Sequence, residues 1–245
     1  MTNALAIESD GNTLVGGTEE VEDPRAVVAL LHGIPSVAPP DPTDAGYPGF
    51  ARAIAERGSS ALWVDMRGVR GSGGYFSIEG WVRDAAAIVA AAREIASDVP
   101  VLLVGSSAGG AVSAVAAGRG VALDGVALLA APAHWVSFAA HPEAGMARIT
   151  TEAGMPLAPE VLDDPSEWAR EFDSVVTVDA VSAIDVPLLV LHGTADDVVP
   201  VSHAEEIRRA APRAEVHILE GAAHQLRRDP RAVDVVLDWI DKVTA

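Results

Sequence analysis

A serine is enclosed by small residues between a strand pattern and a helix pattern. The segment Gly105-Ser106-Ser107-Ala108-Gly109 follows the apolar run Val101–Val104 and precedes a helical pattern. In a strand-to-helix turn this tight, the central residue adopts a strained backbone conformation and its neighbours two positions away must be small. Ser107 takes the central position, so we expect its hydroxyl to stand exposed above a sheet as a nucleophile. A plain Gly-Ser turn is the alternative, but the flanking strand and helix favour the nucleophile.

Two later loops carry groups that could activate such a serine. His224 follows the strand-like run Glu215–Leu219 on a Gly/Ala-rich loop, where an imidazole can reach a nucleophile. A carboxylate beyond an earlier strand can accept the other imidazole N–H and fix its tautomer. Asp196 and Asp197 both follow the run Leu188–Leu191, and either could instead cap the next helix. The residues themselves leave the choice between the two aspartates open.

Acyl transfer also needs two N–H donors aimed at the developing oxyanion. The N–H of Ala108, next after the nucleophile, supplies one candidate. The segment His32-Gly33-Ile34-Pro35 follows the apolar run Ala26–Leu31, and the N–H of Ile34 is the second candidate. The His32 side chain is interpreted as structural. Together these residues predict an oxyanion hole formed by Ile34 and Ala108.

Strand-like and helix-like runs alternate along the chain, which is the pattern of a parallel sheet covered on both faces. The strand-like runs are Ala4–Ile7, Thr13–Gly17, Ala26–Leu31, Ala61–Val64, Val101–Val104, Val126–Leu129, Leu188–Leu191 and Glu215–Leu219. The first two flank a turn-prone segment and predict an antiparallel hairpin. Right-handed crossovers between the others predict a mostly parallel, twisted sheet of about eight strands.

The helical patterns lie between these strands, and one long segment interrupts the alternation. The helical patterns are Phe50–Arg57, 85–95, Gly109–Ala117, His203–Ala210 and Ala232–Val243. Between Pro132 and Pro187 no clear strand occurs, and Asp164-Pro165-Ser166-Glu167 has the composition of a helix start. We expect residues 133–186 to form a small helical lid over the C-terminal edge of the sheet, within a single domain spanning residues 1–245.

Large aromatic side chains occur in this expected lid. Trp135, Phe138 and Trp168 are candidates for lining a substrate pocket. The alternative is that they bury the underside of the lid, because large apolar residues more often form core than ligand contacts. The residue types alone do not separate these two roles.

The amino-acid composition excludes several kinds of site and disfavours several kinds of partner. The 245 residues include no cysteine, which excludes a cysteine nucleophile, thiolate metal sites and thiol redox chemistry. The formal net charge of −18 disfavours nucleic acid and anionic membrane as partners. No basic leader or membrane-length apolar run occurs, so we expect a soluble, cytoplasmic protein. No metal-ligand cluster of familiar spacing occurs, and the proposed chemistry needs no cofactor.

From end to end the chain resembles the α/β-hydrolase superfamily, and most closely its small bacterial serine-aminopeptidase-like members. The resemblance is carried by the HG segment at His32, the GxSxG segment, the HGxxDxxVP segment 192–200 and the late GxxH ending at His224. In that family the HGxxD aspartate is the catalytic acid, which implies Asp196 rather than Asp197. Residues 65–73 resemble the family's D-x-R-G-x-G-x-S stretch, except that the familiar glycine is replaced by Arg70 or displaced to Gly71.

These features predict a serine hydrolase that cleaves an acyl bond, most simply a carboxylic ester, through a Ser-His-Asp triad and a covalent acyl-enzyme. The expected partner is a small-molecule acyl substrate, and the expected assembly is a monomer or small homo-oligomer. The same triad could serve thioester, amide or peptide, or C–C bond hydrolysis, acyl transfer or perhydrolysis. A non-catalytic binding protein of the same fold is a further alternative.

Overall fold

An eight-stranded sheet forms the centre of the computed structural model, which describes residues 2–39, 41–135, 138 and 140–245. The strand order is β1-β2-β4-β3-β5-β6-β7-β8, and only β2 runs against the others. The strands are β1 (Thr2–Ser9), β2 (Asn12–Glu19), β3 (Val27–Leu31), β4 (Ser60–Asp65), β5 (Val101–Ser106), β6 (Gly125–Leu129), β7 (Leu188–Gly193) and β8 (Glu215–Leu219). The predicted hairpin and the mostly parallel sheet are therefore confirmed.

Helices cover both faces of the sheet. They are α1 (Gly46–Glu56), α2 (Ile78–Ile95), α3 (Ala108–Gly118), α4 (Pro142–Ala147), α5 (Pro159–Asp163), α6 (Pro165–Ser174), α7 (Thr177–Ala180), α8 (Ser202–Ala210) and α9 (Pro230–Val243). Buried residues of α1 and α9 share one apolar core with alternate strand residues such as Val28 and Leu30. Residues of α2, α3 and α8 share a second core with the other alternate residues, such as Ala29. The continuous apolar strands thus serve two cores, as expected for strands buried on both faces.

Two helices begin at least four residues earlier than the sequence pattern predicts. Helix α1 begins at Gly46 rather than Phe50, and the Asp44 carboxylate accepts the Gly46 N–H at 2.8 Å. Helix α2 begins at Ile78 because the Ser77 side chain caps it, accepting the N–H of Gly80 at 2.8 Å. At each start a side chain accepts an N–H of the first helical turn, and apolar periodicity alone does not mark these positions.

Residues 133–186, between β6 and β7, carry α4 to α7, with a π-helical turn at Arg148–Glu152; no strand occurs among the described residues there. The predicted helix start is confirmed: Asp164 accepts the N–H groups of Ser166 and Glu167, both at 3.1 Å. We call residues 133–186 the helical insertion. Backbone bonds tie it to the body, for example from the Val37 N–H to the Glu152 oxygen at 2.8 Å.

A chain of aromatic rings connects the helical insertion to the body of the protein. Trp81 packs edge-on to His32 at 5.2 Å and to Phe76 at 5.1 Å between ring centroids. Phe76 lies 6.4 Å from Phe172 of the insertion. From Phe172 the contacts continue to other insertion rings: Trp135 at 5.5 Å, Phe138 at 4.9 Å and Trp168 at 4.8 Å. These edge-to-face and offset contacts are favourable arrangements for buried rings.

Candidate active site

The turn between β5 and α3 holds Ser107 in a backbone conformation that only close packing maintains. Ser107 has φ 54° and ψ −122°, and its N–H donates to the Leu129 oxygen at 2.7 Å. A Cβ atom at Gly105 would lie 2.3 Å from the Gly109 oxygen, and one at Gly109 would lie 2.4 Å from the His32 oxygen. Both flanking positions therefore require glycine. Such a strained residue costs about 1–3 kcal/mol and persists only where its surroundings enforce it.

The loop after β3 lies directly against this turn. A Cβ atom at Gly33 would lie 2.8 Å from the Ser107 Cβ. The buried His32 ring braces the loop: its Nδ1–H donates to the Gly33 oxygen at 2.7 Å, and its Nε2 accepts the Met66 N–H at 2.9 Å. Burial lowers the pKa of His32, which keeps the ring neutral in this arrangement. Its side chain is thus structural, as interpreted from the sequence.

Asp196 and His224 meet across two loops that are joined by backbone hydrogen bonds. The Thr194 and Ala195 N–H groups donate to oxygens of Leu219 and Ala222, both at 3.0 Å. His224 Nδ1 lies 2.8 Å from Asp196 Oδ2. Asp197 is exposed on the same loop, and no hydrogen bond joins it to His224 among the described residues. The structure therefore brings Asp196, and not Asp197, to the histidine.

Four donors surround the carboxylate of Asp196, whose side chain is 0% exposed. Oδ1 accepts the N–H groups of Val198 at 2.9 Å and Val199 at 2.8 Å. Oδ2 faces two imidazoles, because His192 Nε2 lies 3.3 Å away in addition to His224. Burial raises the pKa of Asp196, but the hydrogen bonds from His192, His224 and Val199 outweigh it and hold the pKa well below its usual range. Asp196 is therefore ionised at neutral pH.

Sequence reasoning did not single out His192. Its side chain is buried, and its single Nε2–H is shared between the Val199 oxygen at 2.8 Å and Asp196 Oδ2 at 3.3 Å. His192 thus holds the turn whose N–H groups bind Asp196. The signal was present in the HGxxD spacing, which places this imidazole four residues before the carboxylate.

Two cavities border both Ser107 and His224, and Ile34 lies between them. We call the first, of about 440 Å³, the arginine-lined cavity; its charged lining residues are Asp41, Asp44, Arg70, Arg227 and Arg228. We call the second, of about 340 Å³, the insertion-side cavity; its lining includes Ala108, His134, Trp135, Phe138, Arg148 and His203. The predicted oxyanion residues Ile34 and Ala108 therefore lie at the same cavity as the predicted nucleophile and base.

Of the three aromatic residues predicted to line a pocket, two do so. Trp135 and Phe138 line the insertion-side cavity. Trp168 is not among its lining residues: its side chain is 1% exposed and packs against Phe138 and Phe172. Trp168 lies on the inner face of α6, where it fills the core beneath the insertion. Helical periodicity places a residue on an apolar face but does not tell which cavity that face borders.

Ion pairs connect the two loops around the arginine-lined cavity. Arg227 pairs with Asp44, and Arg228 pairs with Asp41. The Arg227 guanidinium also lies 5.4 Å from the centroid of the Tyr47 ring. The Arg227 hydrogen bond lowers the pKa of Asp44. The segment that follows His224 is thereby held against the loop that follows Ile34.

Arg70 replaces the glycine that is familiar in the D-x-R-G-x-G-x-S stretch. Its φ is 46°, a left-handed conformation, and its side chain pairs with Asp65. The buried ion pair of Arg67 with Asp84, at 2.7 Å, anchors the same loop. The loop therefore keeps the backbone shape that glycine would favour while it places a cation at the cavity.

Neither a metal cluster nor a membrane-spanning helix occurs in the described part of the chain. No group of three or more His, Asp or Glu side chains there could hold a metal ion. None of the helices in residues 2–39, 41–135, 138 and 140–245 is long and apolar enough to cross a membrane.

The sheet order and the turn at Ser107 define an α/β-hydrolase fold, and solved structures share it over nearly the whole chain. Est1E from Butyrivibrio proteoclasticus with ferulic acid bound has a TM-score of 0.74 and 19% identity, covering 97% of this chain and 98% of that one. The esterase domain of a Rhodothermus marinus protein has a TM-score of 0.71 and 20% identity, covering 100% of both chains. The Pyrococcus furiosus esterase Pf2001 has a TM-score of 0.72 and 16% identity, covering 100% of this chain and 93% of that one.

The family follows from the sequence itself. Residues 22–177 and 168–231 match the family described as serine aminopeptidase, S33. The chain belongs to this family of hydrolases within the α/β-hydrolase superfamily. A comparison with curated protein sequences found no match.

Proposed function

We propose that the protein is a serine hydrolase that cleaves carboxylic esters, with Ser107 as nucleophile, His224 as general base and Asp196 as the orienting acid. One observation carries the proposal. The strained Ser107 borders the same two cavities as His224, and the other nitrogen of that imidazole is bonded to a buried carboxylate. A nucleophile, a base and a third group that orients the base are the parts this chemistry needs.

The proposed reaction begins with proton transfer from the Ser107 hydroxyl to His224. Because Nδ1–H of His224 donates to Asp196, Nε2 is the nitrogen that accepts the proton. Ser107 Oγ bonds to the acyl carbon, and the carbonyl electrons move to an oxyanion that the Ile34 and Ala108 N–H groups stabilise. The intermediate expels the alcohol, which receives the proton from His224. Water then hydrolyses the acyl-enzyme by the same steps.

Asp196 stays ionised throughout this cycle. Its four donors stabilise the carboxylate, so the proton remains on the imidazole rather than moving to the acid.

The charges around the cavities favour an ester over the N-terminus of a peptide. An aminopeptidase needs a carboxylate that binds the α-ammonium group of its substrate. Among the described lining residues the carboxylates already face cations: Asp41 pairs with Arg228, Asp44 with Arg227, and Glu152 with Arg148. Two of the similar structures also have esterase in their names. The same triad chemistry also applies to thioesters. Ester and thioester analogues that share one acyl group would compare the rates of hydrolysis of the two bond types.

The helical insertion serves in this proposal as a cap over the site within a single domain. Trp135 and Phe138 line the substrate pocket from the insertion, and Trp168 supports Phe138 from behind. This division explains why only part of the aromatic cluster borders the cavity.

A fluorophosphonate probe tests the proposal directly. We expect covalent labelling at Ser107, located by peptide mass spectrometry, and hydrolysis of a short-chain aryl ester. Ser107→Ala should abolish both, whereas the matched variant Ser106→Ala, one residue away, should keep labelling. A folded protein that neither reacts with the probe nor turns over the ester would favour a non-catalytic binding protein.

A further inference from the structure

His203 lines the insertion-side cavity together with Ser107 and His224. It lies in α8, on the body of the protein, and its Nδ1 accepts the N–H of Ala133, at the start of the helical insertion, at 2.9 Å. An imidazole nitrogen that accepts an N–H carries no proton. In the neutral ring the proton of His203 is therefore on Nε2.

The surroundings keep His203 neutral. Burial and the neighbouring His134, whose ring centroid lies 4.7 Å away, lower the pKa of His203. His134 itself faces Glu206, with His134 Nε2 3.3 Å from a carboxylate oxygen. A neutral His203 keeps its Nδ1 as the acceptor for Ala133, so its tautomer is fixed.

The Nε2–H of His203 is left for a ligand. Nε2 has no hydrogen-bond partner among the described residues. It is also absent from the fully buried polar atoms of those residues that lack a partner, so a ligand can reach it. Because the ring lines the cavity and its other nitrogen is occupied, this N–H is the group that the ring offers there.

The walls around this donor combine aromatic and polar surface. Trp135 and Phe138 supply the aromatic surface, and Ser36 and Gln225 also lie in the lining. Arg148 faces Glu152 at 3.7 Å, and both side chains are exposed. A flat group with an acceptor atom at its end fits this combination, because the aromatic walls fix its plane and the N–H of His203 fixes its end.

We propose that His203 is a binding residue for the part of the substrate that occupies the insertion-side cavity. Esters whose group in that cavity carries an uncharged acceptor, such as an ether, keto or phenolic oxygen, are preferred over hydrocarbon analogues of the same size. This inference rests on the proposed ester hydrolysis.

The preference follows from the cost of burying an unpaired donor. A hydrocarbon that fills the cavity removes water from the Nε2–H without replacing its hydrogen bond. We expect a ratio of about three- to tenfold in kcat/KM, as for one neutral hydrogen bond.

Isosteric ester pairs measure this ratio. One series compares aryl esters of para-methoxyphenylpropanoate and para-ethylphenylpropanoate, which differ in an oxygen far from the carbonyl. A second series compares the acetates of para-methoxybenzyl and para-ethylbenzyl alcohol. The two series place the acceptor on the acyl side and on the alcohol side, and we expect the preference in the series that fills the insertion-side cavity.

Two variants separate recognition from the structural bond to Ala133. His203→Asn retains an acceptor near the Nδ1 position but has no group at Nε2, so its kcat/KM values for the methoxy and ethyl substrates should become equal. His203→Gln places an amide N–H near the Nε2 position, so it should keep the preference while losing the bond to Ala133. His217→Asn, at a partly exposed histidine of β8, is the matched control and should change neither.

Either of two results would overturn the inference. Equal rates within both pairs for the wild-type enzyme would show that no donor acts in the cavity, and an unchanged preference in His203→Asn would assign it to another residue. Nitrogen NMR of wild-type His203 gives a test without variants: the neutral ring must carry its proton on Nε2, and that resonance must move when the methoxy acid or the para-methoxybenzyl alcohol binds, whichever belongs to the series that shows the preference. Absence of ester turnover in the wild-type protein would instead refute the proposed function.

Discussion

The proposed nucleophile and the proposed acid–base pair are held by different forces. Around Ser107 the backbone is fixed by steric exclusion, because neighbouring atoms leave no room for a side chain at Gly33, Gly105 or Gly109. Around Asp196 and His224 the side chains are fixed by hydrogen bonds and charge. The first region depends on shape, which salt and pH hardly alter. The second depends on protonation and on donors that single substitutions can remove.

This contrast predicts that changes at the turn cost folding, whereas changes at the acid–base pair cost activity. Substitutions in each region, measured for both stability and activity, separate these two costs.

Asp196→Asn should lower kcat by about 10³–10⁴-fold, because an amide favours the wrong imidazole tautomer. The fold should persist, since the amide oxygen can still accept from Val198 and Val199. Asp197→Asn is the control and should stay within about twofold of wild type, since surface changes are usually near neutral. Steady-state ester hydrolysis and circular dichroism measure both. Comparable losses in the two variants would contradict the choice of Asp196.

Gly109→Ala should destabilise the fold by about 3 kcal/mol, because the new methyl group would lie 2.4 Å from a backbone oxygen that cannot move aside. Gly73→Ala is the control, since a Cβ atom there has its nearest neighbour at 3.6 Å. Urea unfolding followed by tryptophan fluorescence gives the difference. A Gly109→Ala protein of wild-type stability would show that the turn relaxes, and the steric account would be wrong.

His192→Leu should lower kcat by about tenfold, because the turn that holds Asp196 loses the bond to the Val199 oxygen and the acid is aimed less well. His192→Gln, which can still donate near the Nε2 position, should restore kcat. An unchanged kcat in a folded His192→Leu would reduce His192 to a space-filling role.

The ion pair of Asp44 with Arg227 should make a small, pH-dependent contribution to stability. Because Arg227 lowers the pKa of Asp44, the contribution is full above the ordinary carboxyl pKa of about 3.9 and is lost as the pH falls through the lower folded value. The free energy of unfolding of the wild type should fall between pH 6 and a pH below about 3. In Asp44→Asn this fall should be about 1 kcal/mol smaller. Asp185→Asn, at a pair with side chains 87% and 93% exposed, should show no such difference.

Much of the site could be predicted because its residues follow strand ends in short motifs. The GxSxG turn and the histidine after β8 depend on local sequence and on a sheet that apolar runs reveal. Asp196 and Asp197 could not be separated by spacing alone, because both follow the same strand. The resemblance to the family implied Asp196, and in the structure the Asp196 carboxylate contacts His224.

Contacts between distant segments could not be predicted in the same way. Asp44 and Arg227 are 183 residues apart, and Ala133 and His203 are 70 apart. No periodicity marks such pairs, since each side chain looks like a solvated charge or a helix start in its own segment. Trp168 illustrates the same limit, because its apolar helical face is visible in the sequence but the neighbours of that face are not.

The ring chain from His32 to Phe172 gives the protein a built-in optical reporter. Three of the five tryptophans, Trp81, Trp135 and Trp168, belong to this chain, and Trp135 borders the cavity that we assign to substrate. A shift of the insertion against the body would change the environment of these indoles together. Intrinsic emission, read without any label, would therefore register substrate arrival at Trp135 and rearrangement of the insertion in one signal, and Trp135→Phe would separate the two.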